Sequence, residues 1–124
     1  MQYMLLIYGD EQGWAQIPDE HRNEIFGQFF AYGDALEQAG ALVAGSALQP
    51  STAATVVRVE DGETAVTDGP YAETKEQLGG YYLIDVETLD EAIEWAARVP
   101  SAKAGQPVEV RPLQPMARPA EASA

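Results

Sequence analysis

Apolar residues follow two periodicities along the chain, one typical of strands and one typical of helices. Residues 3–8 and 81–86 carry apolar side chains on both faces of predicted strands. A helical pattern of apolar residues fills 18–39, with Pro18 at its start and Gly40 at its end. The capping box Thr88-Leu89-Asp90-Glu91 predicts a second helix that ends near 98–100. The remaining segments are predicted as a loop at 9–13, strands at 42–48, 55–60 and 64–67, a loop at 68–80 and a last strand at 108–111.

The order of these elements is β, α, β, a β-hairpin turning at Asp61-Gly62, β, α, β. It predicts an α+β fold, a ferredoxin-like βαββαβ arrangement with an inserted hairpin. Two helices cover only one face of such a sheet, yet both long strands carry large apolar groups on both faces, so Met4, Leu6 and Tyr8, or Tyr82 and Ile84, would be left in water on the other. Each apolar side chain left in water forfeits about 1.5–3 kcal/mol. We therefore expect a homodimer whose two sheets enclose a shared core; the alternative is a monomer in which loops or the tail cover the second face.

Length and composition fit one domain at 1–113, followed by a Pro- and Ala-containing flexible tail at 114–124. The formal net charge of -13 disfavours binding to nucleic acid or to an anionic membrane surface. The apolar run at the N-terminus is too short for a signal peptide or a membrane span, so a cytoplasmic location is expected.

The chain contains no cysteine and one histidine, His21, which is expected on the surface at the first turn of a helix. The usual zinc sites and thiolate chemistry are thereby excluded. Gly79-Gly80 precedes a strand rather than a helix, so it does not form a phosphate-binding loop. The sequence predicts neither a metal nor a cofactor.

The segment 66–86 reads VTDGPYAETKEQLGGYYLIDV and closely resembles the hallmark of the YCII-related, DGPF-type family, with Tyr71 where the namesake motif has Phe. The resemblance covers nearly the whole chain except the tail, and it extends to residues 4–8, 44–50, 94–98 and 108–112. It implies a dimeric α+β barrel. It also implies frequent genomic association with alternative sigma factors, and hence a regulatory or accessory setting.

Some shorter relatives of this family resemble enzymes with a His–Asp dyad, the histidine on the first helix and the aspartate just before a proline. Here the helix position holds Gln28 or Phe29, and Val99 precedes Pro100. The resemblance therefore does not transfer the dyad to this chain.

The segment 68–82 is the best candidate for function. Asp68, Gly69 and Pro70 favour a rigid turn that would fix Glu73 and Lys75 beside the sheet. Asp68 or Glu73 could act as a base and Lys75 could bind an anionic group. The alternative is a structural turn followed by a solvated cluster of charges.

A ligand pocket is predicted from the aromatic residues near this segment. Tyr8, Pro70, Tyr82 and Trp95 would line it, with Tyr81 as a further candidate, although aromatic residues at these spacings are often plain core.

Three functions are consistent with these patterns. The first is a dimeric module that binds a small organic molecule or contacts a regulatory partner. The second is a lyase- or isomerase-type enzyme on small cyclic or aromatic compounds, using Asp68, Glu73 and Lys75 without the dyad. The third is a purely structural interaction domain. The first is favoured because the carboxylates lack an evident proton-transfer partner.

Overall fold

The computed structural model describes residues 1–119, which form a mixed α+β fold with an antiparallel sheet, as the sequence predicts. The sheet has four strands in the order β2-β5-β1-β6, and β3 and β4 pair as a separate hairpin. The elements are β1 Gln2–Asp10, α1 Glu11–Ala15, α2 Asp19–Gln38, β2 Leu42–Ala47, a 3-10 turn Ser51–Ala53, β3 Thr55–Glu60, β4 Glu63–Asp68, β5 Glu76–Asp85, α3 Leu89–Ala97, α4 Pro100–Lys103 and β6 Val108–Pro112.

The two long helices begin and end at the signals that the sequence provides. Helix α2 starts directly after Pro18, and Gly40 follows it with a φ of 72°, a conformation that glycine adopts without strain. At the start of α3, the Thr88 hydroxyl accepts the Glu91 N–H at 3.2 Å, and the Glu91 carboxylate accepts the Glu87 N–H at 3.4 Å. The Thr88 half of the predicted capping box is therefore confirmed, while the Glu91 carboxylate bonds the N–H of the residue before the cap rather than that of Thr88.

The buried core lies between the helices and one face of the sheet. The strands contribute Tyr3, Leu5 and Ile84, and the register pairs Tyr3 with Ile84 and Leu5 with Tyr82. From the helical side, Leu36 of α2 and Val99, which lies between α3 and α4, are fully buried. Burial of each large apolar side chain contributes about 1.5–3 kcal/mol.

The second face of the sheet carries another set of apolar side chains. Met4 pairs with Leu83, Leu6 pairs with Tyr81 and, beyond a register shift, Tyr8 pairs with Leu78. All six are half-buried, and none belongs to the core cluster of the described residues. Neighbouring side chains within this layer shield one another from water, while the helices pack on the opposite face.

Two local predictions were wrong, and one short helix lies in a segment for which no element was predicted. Helix α1 occupies part of the predicted 9–13 loop, because the Asp10 carboxylate accepts the N–H groups of Gln12 and Gly13 and caps a short helix there. Strand β5 starts at Glu76 rather than at 81, so the loop after the hairpin covers only residues 69–75. The strand continues through its glycines because Gly80 lies close to the backbone of β2, where a Cβ would stand 3.0 Å from the Ser46 carbonyl oxygen. Helix α4, with Pro100 in its first turn, follows the predicted end of α3.

Residues 114–119 lack regular secondary structure and are exposed. The predicted flexible tail also includes residues 120–124, which lie outside the described residues. No helix within residues 1–119 has the length and apolar character needed to span a membrane.

Candidate functional site

An open cleft of about 500 Å³ lies beside the N-terminal end of β6. Its walls come from three segments that are distant in sequence: Tyr8 from β1, residues 74–76 at the start of β5, and residues 107–109. The strand order explains this meeting, because β1 is hydrogen-bonded to β5 on one side and to β6 on the other. Lys75 and Tyr8, both chosen as site residues from the sequence, lie in this one cleft.

A chain of polar contacts borders the cleft. The Tyr8 hydroxyl donates a hydrogen bond of 3.2 Å to Oε1 of Glu109. The Arg111 guanidinium donates to the other oxygen of the same carboxylate, from Nε at 3.1 Å and from Nη2. Glu109 and Arg111 stand two residues apart on β6, so their side chains project from the same face as Tyr8. The three side chains therefore form one hydrogen-bonded unit.

These contacts shift the pKa values of all three groups. The hydrogen bonds from Arg111 are the main cause of the lowered pKa of Glu109, and the hydrogen bond to Glu109, followed by the charge of Glu109, raises the pKa of Arg111. Partial desolvation, followed by the hydrogen bond to Glu109, raises the pKa of Tyr8. At neutral pH the unit is thus an ionised carboxylate held between a phenol and a guanidinium.

The other predicted catalytic residues lie elsewhere. Asp68 is the last residue of β4, where it pairs with Thr55 at the base of the hairpin, and it is exposed. Glu73 is exposed in the 69–75 loop. Neither residue lines the cleft, so the structure does not bring Asp68 and Glu73 together with Lys75 at one cavity.

Local contacts fix the 69–75 loop. Gly69 has a φ of 100° and donates its N–H to the Ala54 carbonyl at 2.8 Å, which closes the hairpin base before the half-buried Pro70. The Gln77 side-chain amide donates to the carbonyls of Ala72 and Thr74, each at 3.1 Å. These bonds position Lys75 at the edge of the cleft.

The predicted aromatic pocket is divided between the two faces of the sheet. Tyr82 and Trp95 lie on the helical side, where each packs edge-on against Tyr32, and the Tyr82 hydroxyl reaches the Phe29 carbonyl at 3.4 Å. Burial raises the pKa of Tyr82 and, more strongly, of Tyr32. Tyr8 and Tyr81 lie on the opposite face. Within one subunit, Tyr8 therefore does not share a cavity with Tyr82 or Trp95.

A second open groove, of about 460 Å³, lies at the other end of the sheet. Trp95 lines it together with Met1, Ala39 and Ala41, and its polar walls include the carboxylates of Asp85, Glu87 and Glu91. Among residues 1–119, no lysine or arginine lines this groove, and the cation that does line it, the Met1 ammonium, is paired with Asp85 at 3.1 Å.

Glu109 and Arg111 were not predicted from the sequence to be site residues. Their signal was present, since opposite charges two apart on a strand must share one face. Their partner Tyr8, however, is 101 residues from Glu109, and only the pairing of β1 with β6 brings the two together.

Of the residues at the dyad positions, Phe29 and Val99 have structural roles. Phe29 packs against the core, Val99 is fully buried, and Gln28 and His21 are exposed. Residues 1–119 contain no group of three or more His, Asp or Glu side chains placed to hold a metal ion.

Comparisons with known proteins agree with the geometry of the fold. An uncharacterized protein of Rhizobium meliloti (strain 1021), R00369, is 41% identical over 114 residues, which cover 91% of this chain and 92% of that protein. A solved structure of 5-chloro-2-hydroxyhydroquinone dehydrochlorinase (TftG) from Burkholderia phenoliruptrix AC1100, in complex with 2,5-dihydroxybenzoquinone, superposes with a TM-score of 0.52. It shares 15% identity over 92% of this chain and 94% of its own, so the likeness concerns the fold. The family model of the YCII-related domain matches residues 1–117, and the chain therefore belongs to the YCII-related domain family.

Proposed function

We propose that this protein is a homodimer that binds a small cyclic or aromatic molecule in a chamber between its two sheets. The observation that carries the proposal is the second face of the sheet, where Met4, Leu6, Leu78, Tyr81 and Leu83 form an apolar layer outside the core. In the proposed assembly the ferredoxin-like subunits pair face to face as a dimeric α+β barrel.

The energetic argument favours a second copy as the cover for this layer. Each of these side chains is already half-buried, so a cover adds only part of the about 1.5–3 kcal/mol that full burial of a large apolar side chain contributes, and the five together offset part of the cost of association. An identical sheet offers the same apolar layer, and a two-fold axis lets each layer cover the other.

The chamber would combine apolar walls with one polar corner. The apolar layer fits the faces of a ring, and the cleft with Tyr8, Lys75 and Glu109 lies next to it on the same side of the sheet. Ligand pockets in proteins usually have this composition, mostly apolar with a few polar groups that fix orientation. The fold neighbour TftG, whose structure holds 2,5-dihydroxybenzoquinone, is a precedent for a six-membered ring in a protein of this fold.

A second candidate function is proton transfer to or from the bound ring, as in a lyase or isomerase. The hydrogen bond between Tyr8 and Glu109 favours it, because a phenol and a carboxylate in contact can pass a proton. In this version Tyr8 and Glu109 replace Asp68 and Glu73, which are exposed on the subunit. The name of TftG, a dehydrochlorinase, is consistent with such chemistry on a ring.

Sedimentation of purified protein tests the assembly. We expect a dimer at micromolar concentration and expect Leu6→Glu to give folded single subunits, because it places charge in the apolar layer. Phe30→Glu is the matched control, since Phe30 is 77% exposed on α2, and this variant should remain dimeric. A wild-type protein that sediments as a well-folded monomer would refute the proposal.

Ligand binding is tested separately by a thermal-shift screen against small aromatic and alicyclic compounds. Hits should raise the Tm of wild type and of Phe30→Glu, and not of Leu6→Glu, whose chamber is lost. A hit that stabilises the Leu6→Glu monomer equally would place the binding site outside the chamber.

A further inference from the structure

We propose that the cleft beside Tyr8 selects uncharged, hydroxylated rings, with Glu109 accepting from a ligand hydroxyl and Lys75 donating to the same oxygen. This inference rests on the proposed small-molecule function and adds the chemical class of the ligand. It excludes carboxylated rings of the same size.

The hydrogen-bonding capacity of Glu109 supports a ligand with an O–H donor. An ionised carboxylate accepts at about four lone-pair positions and donates at none. Tyr8 uses Oε1, and Arg111 uses Oε2 through two of its N–H groups. Both oxygens retain accepting capacity, and the carboxylate is already fixed in orientation from two sides. A ligand hydroxyl thus meets a preorganised acceptor.

Lys75 supplies the complementary donor. Its side chain forms no ion pair within residues 1–119, where the ion pairs are Met1–Asp85, Arg22–Asp19 and Arg111–Glu109. It faces the same cleft as Glu109. A hydroxyl oxygen placed between the two would donate to the carboxylate and accept from the ammonium, whereas an ether oxygen could only accept.

The charge around the cleft disfavours anions. Its walls carry one cation, Lys75, against the carboxylates of Glu76 and Glu109. Arg111 is bound to Glu109 rather than directed to a ligand. The formal net charge of the whole chain, -13, adds a repulsive field for any carboxylated compound. The Arg111 contacts that lower the pKa of Glu109 also keep it ionised near neutral pH.

The apolar part of the cleft fits the ring itself. The Tyr8 ring, Pro107 and Val108 lie beside the two charged groups. An aromatic or alicyclic ring can pack against these surfaces while its hydroxyl reaches Glu109. The ligand class is therefore a neutral ring with at least one free hydroxyl group.

Calorimetric titration of the intact wild-type protein with three rings tests the selection. The probes are resorcinol, its dimethyl ether, which lacks O–H donors, and meta-hydroxybenzoate, which is anionic at pH 7. We expect resorcinol to bind about tenfold or more tightly than either of the others, the usual effect of one hydrogen bond to a charged group.

Two variants assign the selection to the cleft. Glu109→Gln removes the charge of the acceptor and should reduce the preference for resorcinol over its dimethyl ether to about threefold or less. Lys75→Met removes the donor to the ligand oxygen and should weaken the binding of resorcinol. The matched control Glu94→Gln changes an exposed glutamate on α3 and should leave all three affinities unchanged.

The outcomes separate this inference from the proposed function. Equal binding of resorcinol and its dimethyl ether, or tightest binding of meta-hydroxybenzoate, overturns the inference and leaves a ring-binding dimer in place. If Glu109→Gln still prefers resorcinol over its dimethyl ether as strongly as wild type does, the selection does not take place in the cleft beside Tyr8. Failure of every ring to bind an intact dimer overturns the inference, and the same failure in a protein that sediments as single subunits overturns the proposed function as well.

Discussion

The Tyr8 hydroxyl lies 3.2 Å from the Glu109 carboxylate, across the boundary between the neighbouring antiparallel strands β1 and β6. Arg111 holds the other oxygen of that carboxylate. This contact joins the apolar layer on the second sheet face to the open cleft, because Tyr8 belongs to both. Tyr8 thus connects the surface proposed for dimerisation with the cleft proposed for ligand binding.

Replacement of Arg111 should change the titration of Glu109. Arg111→Gln removes the main cause of the lowered pKa, so the pKa of Glu109 should rise toward its ordinary value of 4.5, while the hydrogen bond from Tyr8 still lowers it. A carbon-13 NMR titration of the Glu109 carboxyl measures the change. Arg98→Gln is the control, because Arg98 instead lies over the Trp95 ring, 4.2 Å from its centroid. An unchanged pKa in Arg111→Gln would contradict the hydrogen-bonded unit.

The same lowered pKa predicts the acid dependence of folding. A carboxyl whose pKa is lower in the folded than in the unfolded state stabilises the fold above the unfolded value, about 4.5, and this contribution is lost as the pH falls through the folded value. Chemical unfolding below about pH 5 should therefore show a smaller loss of stability in Arg111→Gln than in wild type. If the free energy of unfolding falls by an equal or larger amount at acid pH in Arg111→Gln, the ion pair between Glu109 and Arg111 does not cause the acid sensitivity.

Gly45 is required by the close approach of the Tyr82 ring. A Cβ at position 45 would lie 2.7 Å from Cδ1 of Tyr82 and 3.2 Å from the Tyr81 carbonyl oxygen. Gly45→Ala should therefore lower the free energy of unfolding by about 1–3 kcal/mol, the usual cost of overpacking.

Gly33 provides the control for this substitution. It lies within α2 with no heavy atom within 4 Å of the added Cβ, so Gly33→Ala should stabilise the protein by up to about 1 kcal/mol. Urea denaturation of both variants measures the difference, and equal effects at the two positions would refute the steric account.

The Tyr32 hydroxyl satisfies a carbonyl at the core. It donates to the Trp95 carbonyl at 2.7 Å, and Tyr32 itself is buried. Tyr32→Phe should therefore cost about 0.5–1.5 kcal/mol of stability, the net value of one hydrogen bond, because the Trp95 carbonyl still accepts the Arg98 N–H at 3.1 Å. Tyr71→Phe removes the same atom from a side chain that is 79% exposed and should cost less than about 0.5 kcal/mol. Thermal unfolding distinguishes the two, and indistinguishable Tm values would rule out a structural role for the Tyr32 hydroxyl.

The cap of α3 makes a further stability prediction. Thr88→Ala removes the acceptor for the Glu91 N–H and should cost about 1 kcal/mol. Thr88→Ser should retain most of the stability, because a serine hydroxyl caps equally well. If the serine variant is as unstable as the alanine variant, the hydroxyl is not the stabilising group.

Local signals in the sequence predicted much of the fold. Pro18, Gly40 and Thr88 act within a few residues of their own positions, so they indicated the helix ends correctly. The apolar residues on both sides of residues 3–8 likewise predicted a strand with two apolar faces, which the structure has. The start of β5 was not predicted because Gly79 and Gly80 look like loop residues until the adjacent β2 backbone is known.

The candidate site was predictable only in part, because it depends on the register between distant strands. Tyr8 and Lys75 were identified individually, but their common partner Glu109 joins them only through β1–β6 pairing. Tyr82 was assigned to the same pocket as Tyr8 because both are aromatic. The register pairs Tyr82 with Leu5, which places it on the opposite face. A shift of one residue reverses the face of every side chain, and no local pattern determines that shift.

The β3–β4 hairpin is a two-stranded ribbon that shares no strand pairing with the main sheet. Val57, Val59 and Val66 on this ribbon are all more than half exposed. Two-stranded ribbons are marginally stable by themselves, so the hairpin amides should exchange with deuterium through local opening, at a lower free energy than those of β1 and β5. The 69–75 loop, which joins the ribbon to β5, ends at Lys75. We therefore expect opening of the ribbon to loosen this loop and to shorten the residence time of a ring bound beside Lys75.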